Sequence, residues 1–300
     1  SANYIIGANV DATGNNLIGL GESINASGDH KILIGRNIVD MGSNNIGIGS
    51  GINSNASNTI NVGQNSRYTG NSGVIVGVNN AVTGDNNFVV GNNINVISTG
   101  LFICGQSISV NNAADSVVLE RNVSVNNASG VVVVGRGNSI SSTNNVVSLY
   151  GYKNTTNSNV KNTTIVGDQN IVSAASGSVI LGTANTTSGT VNNTISIGNR
   201  NYLGNTSYNN IQIGNYNNQS SPRLLTNGNA TGNFVANNNP FVNTITIGNQ
   251  NAFSSSGNMT FVAGNKNSVG GNFSTTLGHV NTTRSANYGI LLGKSNYLVG

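Results

Sequence analysis

Residues that can carry out acid–base or metal chemistry are few and scattered in this sequence. The carboxylates are Asp11, Glu22, Asp29, Asp40, Asp85, Asp115, Glu120 and Asp168, and the two histidines are His30 and His279. Neither histidine has a spacing typical of a metal site, and no carboxylate pair is placed for glycoside cleavage. Asp29 with His30, or Asp11 with Glu22, could approach each other, but solvated turns explain them better. We predict a protein that is not an enzyme, with no cofactor and no metal.

Other candidate chemistry is equally sparse. The single cysteine, Cys104, precedes a recurring glycine, and we predict that it faces the core as a small buried hydrophobe. The formal net charge is +4, and all eight acids lie at or before Asp168. The C-terminal part is therefore modestly basic, which fits acidic glycans or a cell surface as partners, although a charge distribution without function explains it at least as well. Clustered Lys and Arg with interleaved aromatic residues are missing, so we predict no nucleic-acid partner.

The composition indicates β-structure. Charged residues make up 7% of the 300 residues, against roughly 25% in an ordinary soluble domain. Asn supplies roughly sixty residues, and Val and Ile are abundant where helix formers are scarce. One cysteine cannot form an intrachain disulfide framework. No apolar run approaches the ~18 residues of a transmembrane helix, so we expect no membrane insertion by this segment. The expected class is all-β.

An internal repeat defines the strands and turns that position these residues. The string apolar-x-apolar-Gly recurs with glycines about fourteen to sixteen residues apart. The glycines assigned to it are Gly7, Gly19, Gly35, Gly49, Gly63, Gly77, Gly91, Gly105, Gly135, Gly151, Gly167, Gly182, Gly198, Gly214, Gly248, Gly264, Gly278 and Gly293, with a break at Leu119-Glu120. Each repeat reads as two short strands and two turns. A unit so short cannot fold alone, so stacking must bury the core. We predict a parallel β-solenoid, or β-roll, of about 14–16-residue coils over residues 1–300.

A column of asparagines accompanies the repeat at a constant offset, three residues after the glycine. In a parallel, in-register stack these carboxamides lie above one another, so that each donates to the next coil and accepts from the last. The alternative is that Asn merely suits turns. The predicted structural ladder comprises Asn138, Asn154, Asn170, Asn185, Asn201, Asn217, Asn251, Asn267, Asn281 and Asn296.

The stretch Val74–Gly84, with its apolar-apolar-Gly-x-x-Asn-x-apolar-x-Gly pattern, resembles the head repeats of YadA-like trimeric autotransporter adhesins and similar β-rolls of phage and surface fibres. The repeat covers nearly the whole chain, with Asn where that family usually has Ser. The resemblance implies a left-handed parallel β-roll, three chains packed about one axis, and an extracellular fibre that binds other surfaces.

A second sequence feature favours oligomerisation, and the alternative is a monomer with an exposed apolar stripe. In a single-chain roll we expect the residue two before the glycine to face solvent, yet many repeats place an apolar residue there. Strands that are apolar on both faces are covered on both sides, and a large exposed apolar patch marks an interface. The predicted oligomer interface comprises Leu33, Ile75, Val89, Ile103, Val133, Ile165, Ile180 and Leu291.

The repeat is interrupted between Gly214 and Gly248, where residues 215–243 form an irregular insertion in the single predicted domain. Long loops on a rigid scaffold often carry binding function. The candidate receptor contacts are Arg223, Phe234 and Phe241. A decayed repeat or a passive insertion explains this segment about equally well.

Together these features predict a structural or adhesive fibre segment at a cell or virion surface, extracellular, whose partners are copies of itself and a glycan or protein receptor. A phage tail fibre or tailspike receptor-binding segment that degrades polysaccharide is the alternative, and an ice-binding solenoid is less favoured because its Thr arrays do not repeat. Both termini fall inside the repeat, so we expect a longer protein or copies that abut end to end.

Overall fold

The computed structural model describes residues 2–157, 159–203, 207–209, 211–214, 234–235, 241–242, 245–249, 251–253, 259–284 and 287–300. The chain divides into two compact units, unit 1 (Ser1–Ser141) and unit 2 (Ser142–Gly300). Both are parallel β-solenoids, with about 18 turns in all, as the repeat predicted. The described residues include no helix long and apolar enough to cross a membrane.

The strands of unit 1 pair only in parallel, each with the strand one coil before and after it. They are β1 (Tyr4–Thr13), β2 (Leu17–Ser27), β3 (Lys31–Asp40), β4 (Asn45–Ser50), β5 (Asn53–Ser54), β6 (Ile60–Gln64), β7 (Arg67–Thr69), β8 (Val74–Val78), β9 (Ala81–Thr83), β10 (Phe88–Ile97), β11 (Phe102–Asn111), β12 (Val117–Ser129) and β13 (Val132–Arg136).

β14 (Ser139–Tyr152) runs across the boundary between the units. Unit 2 then continues with β15 (Thr155–Thr156), β16 (Lys161–Asp168), β17 (Ile171–Val172), β18 (Ala175–Ser176), β19 (Val179–Thr183), β20 (Thr186–Thr187), β21 (Val191–Asn192), β22 (Ile195–Asn199), β23 (Tyr202–Leu203), β24 (Ser207–Tyr208), β25 (Ile211–Ile213), β26 (Phe234–Val235), β27 (Phe241–Val242), β28 (Ile245–Asn249), β29 (Ala252–Phe253), β30 (Phe261–Asn265), β31 (Ser268–Val269), β32 (Thr275–His279), β33 (Thr282–Arg284), β34 (Ile290–Lys294) and β35 (Tyr297–Val299).

The repeat glycine forms a straight column, which serves as position 0 of each coil. Gly7 pairs with Gly21 and Gly21 with Gly35, so the assignment of Gly19 to this column was wrong. Gly19 lies two positions earlier, where it pairs with Leu33. A Cβ on Gly35, whose φ is +140°, would lie 1.8 Å from the carbonyl oxygen of Gly49 in the next coil. The column is therefore glycine because adjacent backbones touch there.

Each fourteen-residue coil of unit 1 consists of two seven-residue halves. Left-handed residues recur every seven positions, as at Asn9, Asn16, Ser23, His30 and Asn37. Glycines with positive φ recur at the same period at Gly7, Gly14, Gly21, Gly28 and Gly35. Each half thus turns at a glycine or a left-handed corner, and a strand such as β3 (Lys31–Asp40) continues through both halves. The corners account for the Asn content, because Asn tolerates the left-handed region better than other non-glycine residues.

The insertion does not add complete coils to the described stack. Ile211 in β25 pairs directly with Ile245 in β28, and Ser207 pairs with Phe241. The coils on either side of residues 215–243 are therefore direct neighbours along the first strand. Most of the insertion lies outside the described residues.

Candidate functional site

The residues predicted to form the oligomer interface point into the coil, so the prediction assigned the interface to the wrong face of the strand. Position −2 is buried in both units, and the alternation places positions −1 and −3 outside. Because both faces of these strands are apolar, alternation alone gave no sign of which face points inward. The buried residues are Leu33, Ile75, Val89, Ile103, Val133, Ile165 and Ile180, and Leu291 is half-buried between two exposed neighbours.

The outward side of the first strand is the largest apolar surface of the coil. We call the side chains at positions −1 and −3 the first-strand face. Large hydrophobic residues are exposed on it in coil after coil. In unit 1 these include Ile18, Ile32, Ile34, Ile48, Ile60, Val76, Phe88, Phe102 and Leu119, and in unit 2 Tyr150, Val166, Ile195, Ile247, Ile290 and Leu292.

Two features of the first-strand face lie close together in unit 1. The Phe88 and Phe102 rings stack in register, with centroids 5.0 Å apart and planes within 2°. Cys104, in the same strand as Phe102, is exposed rather than buried. It occupies position −1, so the prediction that it faces the core was wrong for the same reason of sidedness.

The second strand presents a different chemistry to solvent. Its outward side chains, at positions +4 and +6, form the second-strand face. In unit 1 they are mostly short and polar, with Val39, Met41, Ala81 and Ile97 as apolar exceptions. The polar members include Asn25, Ser27, Asn53, Asn55, Ser109, Asn111, Ser124 and Asn126. In unit 1 the first-strand face is therefore apolar and the second-strand face mostly polar.

The predicted Asn ladder consists, in unit 2, of buried and bonded carboxamides. Asn170 donates from its backbone N–H at 3.0 Å and from Nδ2 at 2.9 Å to Oδ1 of Asn154. Its Nδ2 also donates to the carbonyl of Gly182 in the following coil, at 2.8 Å. Asn185 repeats the pattern on Asn170. Amide-to-amide donation thus runs to the preceding coil, opposite to the predicted direction.

The other ladder residues follow the same geometry where they are described. The backbone N–H donates to Oδ1 of the preceding ladder residue at Asn201, Asn267, Asn281 and Asn296. Asn251 accepts from Asn267, and Asn217 lies outside the described residues. Each interior carboxamide contacts the coil on either side of it, so the ladder is a structural element of the core.

The first ladder residue, Asn138, meets an acid. Its Nδ2 donates to Oε2 of Glu120 at 2.8 Å. Glu120 occupies position 0, between Gly105 and Gly135 in the strand register. Burial raises the pKa of this carboxyl, and the hydrogen bonds from Asn138 partly oppose that rise. Glu120 therefore explains the break that the sequence shows at Leu119-Glu120.

A buried ion pair in unit 1 was missed by the sequence reasoning. Lys31 Nζ lies 2.6 Å from Asp40 Oδ1 inside the third coil, and both side chains are buried. The ammonium also donates to the carbonyls of Ser27 and Asp40, and Asn45 Nδ2 donates to the same carboxylate oxygen. Lys31 is at position −4, in register with buried Leu17 and Asn45. The alignment of Lys31 with buried residues at the same repeat position was the signal available in the sequence.

The remaining titratable residues do not converge in the described part of the chain. Asp29 Oδ1 accepts from the backbone and side chain of Asn15, as part of a turn. His30 is an exposed left-handed corner. Asp11 pairs with Asn25 and Glu22 with Ala8 and Arg36, so those two acids occupy different columns. No group of three or more His, Cys, Asp or Glu that could hold a metal ion occurs among the described residues.

The candidate receptor contacts are only partly placed. Arg223 lies outside the described residues. Phe234 and Phe241 fall on β26 and β27, which pair with β29 and β24, but their side chains lie outside the described part. They remain predictions.

Comparison with known proteins does not assign this chain to a family. No protein-family model and no curated protein matches the chain.

Proposed function

We propose that this chain is a structural and adhesive fibre segment, not an enzyme. In this proposal it assembles as a homotrimer on a cell or virion surface, outside the cell, and contacts glycans or protein receptors. The observation that carries the proposal is the exposed first-strand face, which repeats in both units.

The size of that face supports an assembly. Coils repeat about every 4.8 Å along a parallel stack, and roughly ten coils of unit 1 each present a strip about 10 Å wide. The resulting apolar surface is on the order of 500 Å² in unit 1 alone, toward the upper end of what a monomeric soluble protein exposes, and the face continues in unit 2. A monomer would leave this surface in water.

A second and third copy of the same chain fit this face better than an unrelated partner does. The strip changes little from coil to coil, so identical strips placed side by side meet like with like along their whole length. Three such faces turned toward one axis remove each strip from water. The number three comes from the resemblance to trimeric β-roll adhesins.

The direct test is the mass of the protein in solution. We expect light scattering after size exclusion to give three times the 30.6 kDa chain mass. The variant Ile32→Lys/Ile34→Lys places two charges on the exposed face, where an unpaired buried charge is costly. It should run at the mass of one chain while its circular dichroism stays that of a folded β-protein.

The matched control places the same charges on the opposite side of the coil. Asn53→Lys/Asn55→Lys lies on the second-strand face one coil later, and both positions are exposed. This variant should keep the wild-type mass. A monomeric wild type, or equal effects of the two variants, would contradict the assembly.

Receptor contact needs a separate experiment. The second-strand face stays outside when the first-strand faces meet, and the 215–243 insertion is the segment that the sequence predicts to contact a receptor. We expect the assembled protein to bind members of a glycan array, and deletion of 215–243 to abolish that binding. Absence of any glycan or cell-surface binding by the assembled protein would remove the adhesive part of the proposal and leave the structural part.

A further inference from the structure

One edge of the first-strand face in unit 2 carries bulky apolar side chains in three successive coils, at a corner that most other coils give to Asn, Ser, His, Asp or Gly. Met259, Phe273 and Tyr288 occupy position −5 in three coils of the C-terminal region. They are 55%, 43% and 76% exposed, respectively. The Phe273 and Tyr288 rings stack at 4.9 Å with planes within 6°. We call these three side chains the aromatic edge.

These side chains sit in a backbone conformation that does not suit them. Their φ angles are +52°, +56° and +62°, in the left-handed region where an L-residue other than Gly, Asn or Asp is costly. The same corner is Asn162, Asn193 and Asn209 in earlier coils of unit 2. A strained and exposed aromatic pair points to a use outside the coil.

The other edge of the same strands is basic. Lys266 and Lys294 are exposed at positions +2 and +1, and His279 pairs with Lys294 in the strand register. The sequence from 169 to 300 contains no Asp or Glu, so this region offers these cations no acidic side chain. We call Lys266, His279 and Lys294 the basic edge.

The two edges cannot meet within one chain. Tyr288 lies just before β34 (Ile290–Lys294) and Lys294 is its last residue, so the two are six residues apart, which corresponds to about 20 Å in an extended strand. The same separation divides Phe273 from His279 across β32. Any contact between the edges therefore joins different copies.

A closed ring of identical copies brings these edges together. When each first-strand face points at a common axis, the left edge of one copy must lie beside the right edge of the next. Ring faces attract cations within about 6 Å. We infer that the aromatic edge of one copy packs against the basic edge of the neighbouring copy in the trimer. This inference rests on the proposed homotrimer and specifies how its C-terminal coils lock.

The test exploits the strain at the corner. In Phe273→Asn/Tyr288→Asn the new residues suit the left-handed region, so each coil should fold as well as before or better. Assembly should weaken, because the rings that face the neighbour are gone. We expect the concentration at which the trimer is half dissociated to rise about tenfold or more in sedimentation experiments, with no fall in the urea midpoint of the dissociated chain.

The control removes an exposed apolar side chain that faces away from the axis. Ile97→Asn on the second-strand face should leave the dissociation concentration unchanged, since Ile97 is exposed on the polar side of its coil. An unchanged trimer in Phe273→Asn/Tyr288→Asn would overturn the inference while leaving the trimer itself in place. A monomeric wild type would overturn both, so the two failures are distinguishable.

A double-mutant cycle identifies the partner of the ring. Tyr288→Asn and Lys294→Gln are made singly and together, and trimer dissociation is measured for each. Non-additive effects are expected, because removal of either partner removes the same contact. Strict additivity would contradict a Tyr288–Lys294 contact, since within one chain these side chains are too far apart to couple.

Discussion

The two units build the same coil around different chemistry at position +3. In unit 1 this column is mostly aliphatic, with Ile24, Ile38, Ile94 and Ile108 buried. In unit 2 it is the amide ladder of Asn154, Asn170, Asn185 and their successors, also buried. In both units a first strand leads into a repeat glycine with positive φ, as at Gly35 and Gly167, so this position of the coil accepts either solution.

The difference lies in how neighbouring coils depend on one another. An isoleucine column contributes burial and dispersion, and the loss of one member creates a local cavity. A ladder carboxamide such as Asn170 bonds to Asn154, Asn185 and the Gly182 carbonyl at once. Its loss leaves the Gly182 carbonyl and the Asn185 amide of the following coil without these bonds and removes one of the two donors to Asn154 Oδ1, which is costlier than the lost bonds alone. Unit 2 is therefore predicted to couple its coils more tightly.

The largest effect is expected at the buried charge of unit 1. Lys31→Met leaves the Asp40 carboxylate buried without its cation, and we expect a loss of about 3–5 kcal/mol in the free energy of urea unfolding. The double variant Lys31→Met/Asp40→Leu should recover most of that loss, because an apolar pair replaces the ion pair. Equal destabilisation of the single and double variants would contradict the assignment.

Breaking the ladder should have the next largest effect. Asn170→Leu keeps the side-chain size but leaves the carbonyl of Gly182 and the amide of Asn185 without their bonds, at an expected cost of about 2–4 kcal/mol. Hydrogen exchange should accelerate in the coils before and after 170. The exposed Asn53→Leu in unit 1 provides the control, with a change of about 0.5 kcal/mol or less. Faster exchange limited to the coil of 170 would argue against coupling through the ladder.

Replacement of one buried polar residue in unit 1 should stabilise the protein instead. Neither amide atom of buried Asn61 finds a hydrogen-bond partner among the described residues. Asn61→Leu is therefore expected to raise the free energy of unfolding by about 1–2 kcal/mol. Asn80→Leu is the matched control, because Asn80 donates to Gly91 and accepts from Ile94, and it should destabilise. Destabilisation by both would mean that Asn61 is satisfied.

The smallest effect is the pH dependence of Glu120, which meets the start of the ladder. Its pKa is raised in the folded protein by burial, so the folded state binds the proton more tightly than the unfolded state. Its contribution to stability is fully present below the unfolded pKa and declines as pH rises through the raised folded pKa. Urea unfolding between pH 4 and 8 should show this decline, and Glu120→Gln should flatten it. The same slope in the variant would assign the effect to another group.

The sequence was sufficient to predict the coil but not which face of its strands points inward. Glycine spacing predicted the solenoid because backbone contact at position 0 excludes every other side chain, as at Gly35. Inside and outside were exchanged because Ile32, Leu33 and Ile34 are all apolar, so no polar face marks the solvent side. Polarity did not mark the solvent side either, because the polar residues Asn61 and Ser196 at position −2 are both buried.

Contacts between residues at different repeat positions could not be predicted from the sequence either. The seven-residue half-coil was visible in Gly14 and Gly28, midway between repeat glycines, but the fourteen-residue period obscured it. The Lys31–Asp40 pair depends on which positions of the two strands face each other across the core. That information appears only once the inward face is known.

The native Cys104 permits the most direct test of the claim that the first-strand faces of different copies meet. Under mild oxidation at low protein concentration, we expect a disulfide-linked species of twice the chain mass on a non-reducing gel, since two of three thiols about an axis can pair. Cys104→Ser/Ser109→Cys moves the thiol to the second-strand face and should yield monomer. Monomer from the native protein, or equal cross-linking from both positions, would contradict the account.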